Sequence, residues 1–547
     1  MLVPYGGTMG FRNSVVGAAL LLALGGGCGS EPAPDLTEIK DGLARRRDQI
    51  YTDFGPAPGG GQLRALMGFS LRDEATLEEA IAHMYEPTHP SFRAYLSKEE
   101  WVSRHAPLSA TVDEVKAWLE SGGMAVPRVA QNRLLLEFTG TVDQFNAAFN
   151  TQLHIFERDS LKQGNPPFRV YGSEGPLKAP TSIASLILGV VSADLPPESK
   201  PLPGEAGEII NALPDGVADA MTIADIAGAY GVTDLYALDA GYSGQGVKLG
   251  VIGAAAFKFK DLQSFWRSFG VTRDDPQVVE TMEPVATRNL ETTLDVAWAG
   301  GLAPGAEIIV YEGPDTRNTS LVYTFNAAIE RGEVSILTNS FAHAEYSEPA
   351  LVSAQYNASA RMGAALGVTI LVASGDSAQV DVPSSSPFVT CVGGTELTLN
   401  ATGGVAGEVA WSDSGSGVSD VFPIPYWQEK VVLDSDGMRA MADVALNASG
   451  STPYWSYYLA EWKPYGGTSF AAPSLAGLLA VVNSFRIAKG APVVGYLNPV
   501  LYQSPDVQAT FRDIVEGSTP KHAAGPGWDH PTGWGVPNAL ELAQALP

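Results

Sequence analysis

Gly466-Gly467-Thr468-Ser469-Phe470-Ala471-Ala472-Pro473 decides the reading of this 547-residue chain. Glycine lets a backbone turn sharply and lets another group come close to it. The apolar run Leu475–Val482 follows, so Ser469 is expected near the start of a helix that then enters a core. A hydroxyl there faces solvent at the positive end of the helix dipole, where developing negative charge is favoured. Two readings compete: a nucleophile, and an ordinary Ser/Thr cap after a glycine turn. Gly-Thr-Ser alone does not separate them.

Around that string, from about Met221 to Pro547, short apolar runs alternate with helical stretches. Val247–Ile252, Glu307–Tyr311, Ser335–Thr338 and Val368–Val372 are such runs, bounded by glycine or turn residues. The alternation predicts a mostly parallel sheet with helices on both faces. Chemistry in such sheets gathers beyond the carboxyl ends of the strands. Residues 194–220 hold Pro196, Pro197, Pro201 and Pro203 among glycines and acids. That segment is too long and too poor in apolar pattern for an ordinary loop; a linker with a processing site is expected there. Leu63–Val191 mixes helical patterns at Ala75–Met84, Ser109–Ser121 and Val142–Phe149 with strand patterns at Arg133–Phe138 and Leu153–Phe156. The mixture predicts an α+β domain with an antiparallel sheet and helices on one face. Residues 30–45, polar and proline-containing, read as linker.

At 45% hydrophobic and 17% charged residues the chain can build a large core. A net charge of −26 excludes a nucleic-acid partner, which needs Lys and Arg to replace counterions. The same charge fits an extracellular protein kept soluble by self-repulsion. Arg12 and the ten-residue apolar run Val15–Leu24 resemble an export signal, too short to span a membrane. Gly25-Gly26-Gly27-Cys28 follows and resembles a lipoprotein processing site, without the usual Leu three residues before the Cys. A lipid anchor at Cys28 and simple cleavage with release therefore stand as alternatives. The second of the two cysteines, Cys391, lies in an apolar run and reads as a buried structural thiol. A disulfide framework is not expected.

A serine nucleophile needs a base. The seven histidines are His83, His89, His105, His154, His343, His522 and His530; none precedes a glycine and four lie in the N-terminal unit, so a histidine-based triad is poorly supported. Glu291-Thr292-Thr293-Leu294-Asp295-Val296-Ala297-Trp298 offers carboxylates instead. Glu291 and Asp295 are four apart on a helical pattern and share a face. Adjacent carboxylates repel, so one keeps its proton to higher pH, and such a pair can serve as base in acid, where imidazole is already protonated. A solvated acidic helix face is the plainer alternative. Asp376, in Ala373-Ser374-Gly375-Asp376, follows the strand Val368–Val372. A carboxylic acid kept neutral there can donate to an oxyanion; an Asp in a tight turn is the alternative.

The glycine–serine string with Pro473 resembles the nucleophile motif of subtilisin-like folds. Taken in order, Glu291 and Asp295, then Ser374-Gly375-Asp376, then Gly467-Thr468-Ser469 with Pro473, the motifs resemble the sedolisin family, the serine-carboxyl peptidases. Leu302-Ala303-Pro304-Gly305-Ala306 and Val392-Gly393-Gly394-Thr395 are similar to flanking family sequence. Pro87, Phe92, Tyr95-Leu96-Ser97-Lys98-Glu99-Glu100, Trp118-Leu119 and Ala148-Phe149 resemble the family's kumamolisin-type activation domain. The resemblance spans roughly residues 60 to 540.

The resemblance implies an α/β catalytic domain with a subtilisin-like parallel sheet flanked by helices, plus an α+β antiparallel-sheet prodomain. It implies that Ser469 attacks, Glu291 carries the proton, Asp295 tunes Glu291, and Asp376 stabilises the oxyanion. It also implies one structural Ca²⁺ held by side chains of Asp513 and Asp529 and by carbonyls of Ile514, Gly525 and Gly527; oxygen donors gathered by glycine turns suit that ion. Two departures stand out. Gly253 occupies a position where some family members carry a further Glu, and Asn339-Ser340-Phe341-Ala342 replaces a glycine-containing turn. The expected organisation is a signal over 1–28, an activation domain over 45–193, a linker over 194–220 and a peptidase domain over 221–547. The expected protein is a monomeric secreted zymogen of an acid-acting endopeptidase, with polypeptide substrates and its own prodomain as inhibitor. A tripeptidyl exopeptidase of the same chemistry and an inactive surface-binding lipoprotein are the alternatives.

Overall fold

The computed structural model describes residues 35–43, 51–158, 168–194, 220–283 and 288–547. The export-signal reading, Cys28 and nearly all of the 194–220 segment lie outside these residues.

The catalytic sheet forms because its central runs of β-branched and aliphatic residues have both faces to bury. Its strands run in the order Gln277–Glu280, Glu307–Glu312, Lys248–Gly253, Ile336–Asn339, Thr369–Ala373, Thr390–Leu399 and Val405–Ala410, with Val444–Asn447 also paired to Thr390–Leu399. All pairings are parallel except the one to Val405–Ala410. Each run read from sequence is a strand within a residue of its expected bounds. Helices cover both faces, among them Leu290–Leu302, Asn318–Glu330, Ala350–Ala365 and Thr468–Ala488.

The N-terminal unit is a five-stranded sheet with four members running Gly189–Asp194, Gln62–Gly68, Leu135–Thr141 and Ala125–Val129, all antiparallel. Period-2 alternation divides its faces. Leu63, Ala65 and Met67 join Leu136 and Phe138 under the domain's own helices, while Leu66 and Leu135 join the core of the catalytic unit. The fifth member corrects the linker reading of residues 30–45. Lys40–Asp41 pairs in parallel with Gly189–Asp194, and Leu36–Glu38 pairs with Lys178–Pro180. Pieces of two and three residues show no periodicity; partners about 140 residues away order them.

Candidate active site

The Ser469 helix, Thr468–Ala488, begins as its sequence requires. Gly467, with φ 142°, is the N-cap and brings no capping side chain. The cap comes from elsewhere in the chain: Asp376 Oδ1 accepts from Thr468 N and from Thr468 Oγ1, both at 2.8 Å. A Cβ on residue 467 would lie 2.8 Å from Asp376 Oδ2, so the close approach demands glycine. Asp376 is thereby fixed one residue from Ser469, which is half-buried. Pro473 lies four residues beyond Ser469 within this helix. It has no N–H to return to the Ser469 carbonyl. Ser340 Oγ stands 3.5 Å from that carbonyl oxygen.

The Glu291–Asp295 helix, Leu290–Leu302, starts at Asn289, whose Oδ1 accepts from Thr292 N at 2.9 Å. Asp295 is fully buried, which rules out a solvated acidic face; Glu291 is half-buried in the first turn. Burial holds the Asp295 carboxyl well above the usual carboxylate range, with Glu291's charge adding to it, and the Ser340 hydroxyl opposes the shift by donating to Asp295 Oδ1 at 2.7 Å.

Packing fixes the two helices against each other. A Cβ on Gly477 would lie 2.8 Å from the Ala299 carbonyl, so the absence of a side chain sets the helix spacing. Trp298 donates Nε1 to Trp455 O at 3.0 Å and packs edge-on against Tyr454, whose ring stacks on Phe470. Removing a fully buried Trp of this kind typically costs about 3–5 kcal/mol, and here it would also loosen the spacing of the two helices.

Sequence reading gave Ser340 only as part of a glycine-free turn, but its hydroxyl donates to Asp295 and lies beside the Ser469 backbone. Its signal was position: it directly follows the strand Ile336–Asn339. The Asn339 side chain closes the glycine-free turn by pairing with Phe341 N and O, at 3.2 and 2.8 Å. Gly253 ends its strand against Thr292, and a Cβ there would lie 2.9 Å from Thr292 Cγ2. Behind Asp376 stands a second carboxyl that sequence reading passed over: Asp381, pushed up to about 7 by burial, with Asp376 and Glu345 adding to the shift.

The C-terminal oxygen cluster also assembles. Gly527 N donates to Asp513 Oδ2 at 2.8 Å and Gly525 N to Asp529 Oδ2 at 2.9 Å. Asp529 is buried, and its carboxyl is pushed up to about 6 by that burial, with Asp513's charge adding. Two carboxylates close enough to repel, each accepting from a glycine N–H, are hard oxygen groups of the kind a cation such as Ca²⁺ takes. Among the described residues no group of three or more His, Cys, Asp or Glu gathers as a metal site, so such an ion would need backbone oxygens as well.

Comparison with known proteins identifies the family. Residues 51–195 match the model described as Pro-kumamolisin, activation domain, and residues 284–535 match that of the Subtilase family. The chain is 32% identical to Kumamolisin from Bacillus sp. over 93% of its own length and 96% of the relative's. It belongs to the sedolisin family of serine-carboxyl peptidases. Tripeptidyl-peptidase 1 from Homo sapiens is 26% identical over 98% of this chain and all of that one. The solved structure of Pseudomonas sedolisin, a serine-carboxyl proteinase, superposes with a TM-score of 0.53 at 24% identity, covering 60% of this chain and 98% of that one, and bears on the fold alone. This sedolisin-family chain is thus a serine-type peptidase with a prodomain. Its catalytic domain has the subtilisin-like parallel sheet flanked by helices.

Proposed function

We propose that this chain is an exported zymogen of an acid-acting endopeptidase in which Ser469, Glu291, Asp295 and Asp376 perform the chemistry. The observation that carries the reading is the convergence at Ser469. Ser340, which donates to the buried Asp295, stands 3.5 Å from the Ser469 carbonyl oxygen, and Asp376 caps the helix one residue before Ser469. Glu291, beside Asp295, takes the proton from Ser469 Oγ as the oxygen attacks the peptide carbonyl, and returns it to the leaving amine. Asp295 keeps its proton because it is buried, which lets Glu291 be the member of the pair that ionises. Asp376, when protonated, donates to the oxyanion of the tetrahedral intermediate. Water then hydrolyses the acyl-enzyme by the same proton route.

Asp513, Ile514, Gly525, Gly527 and Asp529 would hold one Ca²⁺, which would supply positive charge that ties the C-terminal loop to the sheet. The prodomain is the intramolecular inhibitor. Its removal in acid, through cleavage between residues 194 and 220, gives the active form. Export by the N-terminal segment, with lipid on Cys28 or simple release, belongs to the same reading; lipid labelling that Cys28→Ala abolishes separates the two.

Peptide-library cleavage by acid-treated protein tests the reading. Cuts at internal bonds that Ser469→Ala abolishes support it, and an alanine variant that processes itself equally well overturns it. The similarity to a tripeptidyl-peptidase sustains exopeptidase action as a second reading, and release of N-terminal tripeptides alone would select it.

A further inference from the structure

A hairpin leads directly into the nucleophile string. Its strands are Tyr454–Tyr458 and Glu461–Tyr465, and Tyr458 pairs with Glu461 across a two-residue turn. The turn residues Leu459 and Ala460 have φ of 52° and 64°. Two successive left-handed residues make the tight hairpin turn that asparagine and glycine favour, and that leucine and alanine resist. An outside group holds this turn. Asp261, in the helix Phe259–Ser268, is 3% exposed and accepts from Leu459 N at 2.7 Å through Oδ2. Ala460 N also bonds this carboxyl.

The hairpin touches both halves of the catalytic set. At its tip Tyr458 Oη donates to Arg288 O at 3.1 Å, one residue before Asn289, the cap of the helix that carries Glu291. At its base Trp455 O accepts from Trp298 of the same helix, and Tyr454 stacks on Phe470, the neighbour of Ser469. Trp462 packs on Phe265 and Phe269 of the Asp261 helix.

We propose that Asp261 is a positioning residue for peptide hydrolysis: by holding the Leu459-Ala460 turn it fixes the hairpin that sets the distance between Ser469 and Glu291. This rests on the reading of those two residues as nucleophile and base. Asp261→Ala then frees the turn, and misplacement of the reacting groups by about 1 Å costs roughly 100-fold in rate. KM stays within about threefold, because the substrate contacts persist. Asp261→Asn keeps an acceptor oxygen and retains most of kcat.

The test measures kcat, KM and Tm of processed enzyme for Asp261→Ala, Asp261→Asn, and Asp261→Ala combined with Leu459→Asn and Ala460→Gly, which form the turn unaided. The expected result is a fall in kcat of roughly 10- to 100-fold for the alanine variant, recovered by the turn pair. An unchanged kcat in Asp261→Ala overturns the proposal. So does a turn pair that restores Tm but not kcat. If Asp261→Ala does not accumulate, Ala460→Val provides the same test with Asp261 intact, since a β-branched residue resists the left-handed turn; an unchanged kcat there also overturns it. Ser469→Ala run alongside separates the two failures. Continued cleavage by Ser469→Ala removes the nucleophile reading, whereas a silent Ser469→Ala with a fully active Asp261→Ala removes only this one.

Discussion

Ser340 donates its hydroxyl hydrogen to Asp295 Oδ1 across 2.7 Å. The bond favours the ionised carboxylate against the burial that raises it. Ser340→Ala therefore lifts Asp295 further, so that Asp295 keeps its proton to higher pH. The expected outcome is an alkaline limb of the kcat/KM profile moved upward by about one pH unit, with kcat lowered by about tenfold. A pH–rate profile on a chromogenic peptide checks this, and an unmoved limb would show that Ser340 only packs the turn.

Stability is expected to be greatest in acid. Glu312 is pushed up to about 8 by burial, with Glu280 adding, and Asp381 to about 7, also mainly by burial. Both hold protons more tightly folded than unfolded, so their contribution is complete below the unfolded carboxyl range, about 4, and is lost as pH rises through about 7 to 8. Tm of the Ser469→Ala chain should fall by about 5 °C or more between pH 5 and pH 8. Asp381→Asn and Glu312→Gln should each flatten the fall, and scanning calorimetry across that range measures it.

The parallel strands were legible because each is a short apolar run between turn residues, and the Ser469 helix because glycines precede a long apolar stretch. The burial of Asp295 was not. Glu291 and Asp295 alone describe a solvated face; the helix they lie on is covered by the Ser469 helix, about 170 residues later. The hairpin Tyr454–Tyr465 escaped notice because Leu459-Ala460 carries no turn signature; its left-handed backbone depends on Asp261, nearly 200 residues earlier. Leu36–Glu38 and Lys40–Asp41 were too short for a pattern to form.

If Asp513 and Asp529 hold calcium, chelation removes charge compensation from two carboxylates that already repel. A chelator should then lower Tm by about 5 °C or more, with restoration by Ca²⁺ and not by Mg²⁺, which is reluctant to give up its waters for an all-protein cage. Asp513→Ala should start at the lower Tm and ignore the chelator. A wild-type Tm that does not respond would remove the ion from the account.

The prodomain should hold through mild acid and give way only in stronger acid. It docks by opposed devices. Arg361, 6% exposed, pairs with Glu74 and Glu78 of the prodomain, and Glu283 pairs with Arg64 and Arg128. Tyr95 reaches Gly495, where a Cβ would lie 2.4 Å from its hydroxyl. Protonating the glutamates of the ion pairs weakens docking. Glu330 acts in the other direction. It accepts from Asn132 N at 2.9 Å, and burial, opposed by that bond, pushes it up to about 7. Docking therefore takes up a proton at Glu330 and strengthens by about tenfold as pH falls from 8 to 6. Ion-pair loss must overcome that gain before the prodomain leaves. Arg361→Ala removes two pairs and should raise the pH at which full-length protein processes itself by about one unit. Glu330→Gln imitates the protonated form, so protease resistance of the prodomain at pH 8 should rise to its pH 6 level. Timed gel analysis of the full chain from pH 3 to 8 reads both, and release that begins as soon as pH drops below 7 would show that Glu330 does not oppose it.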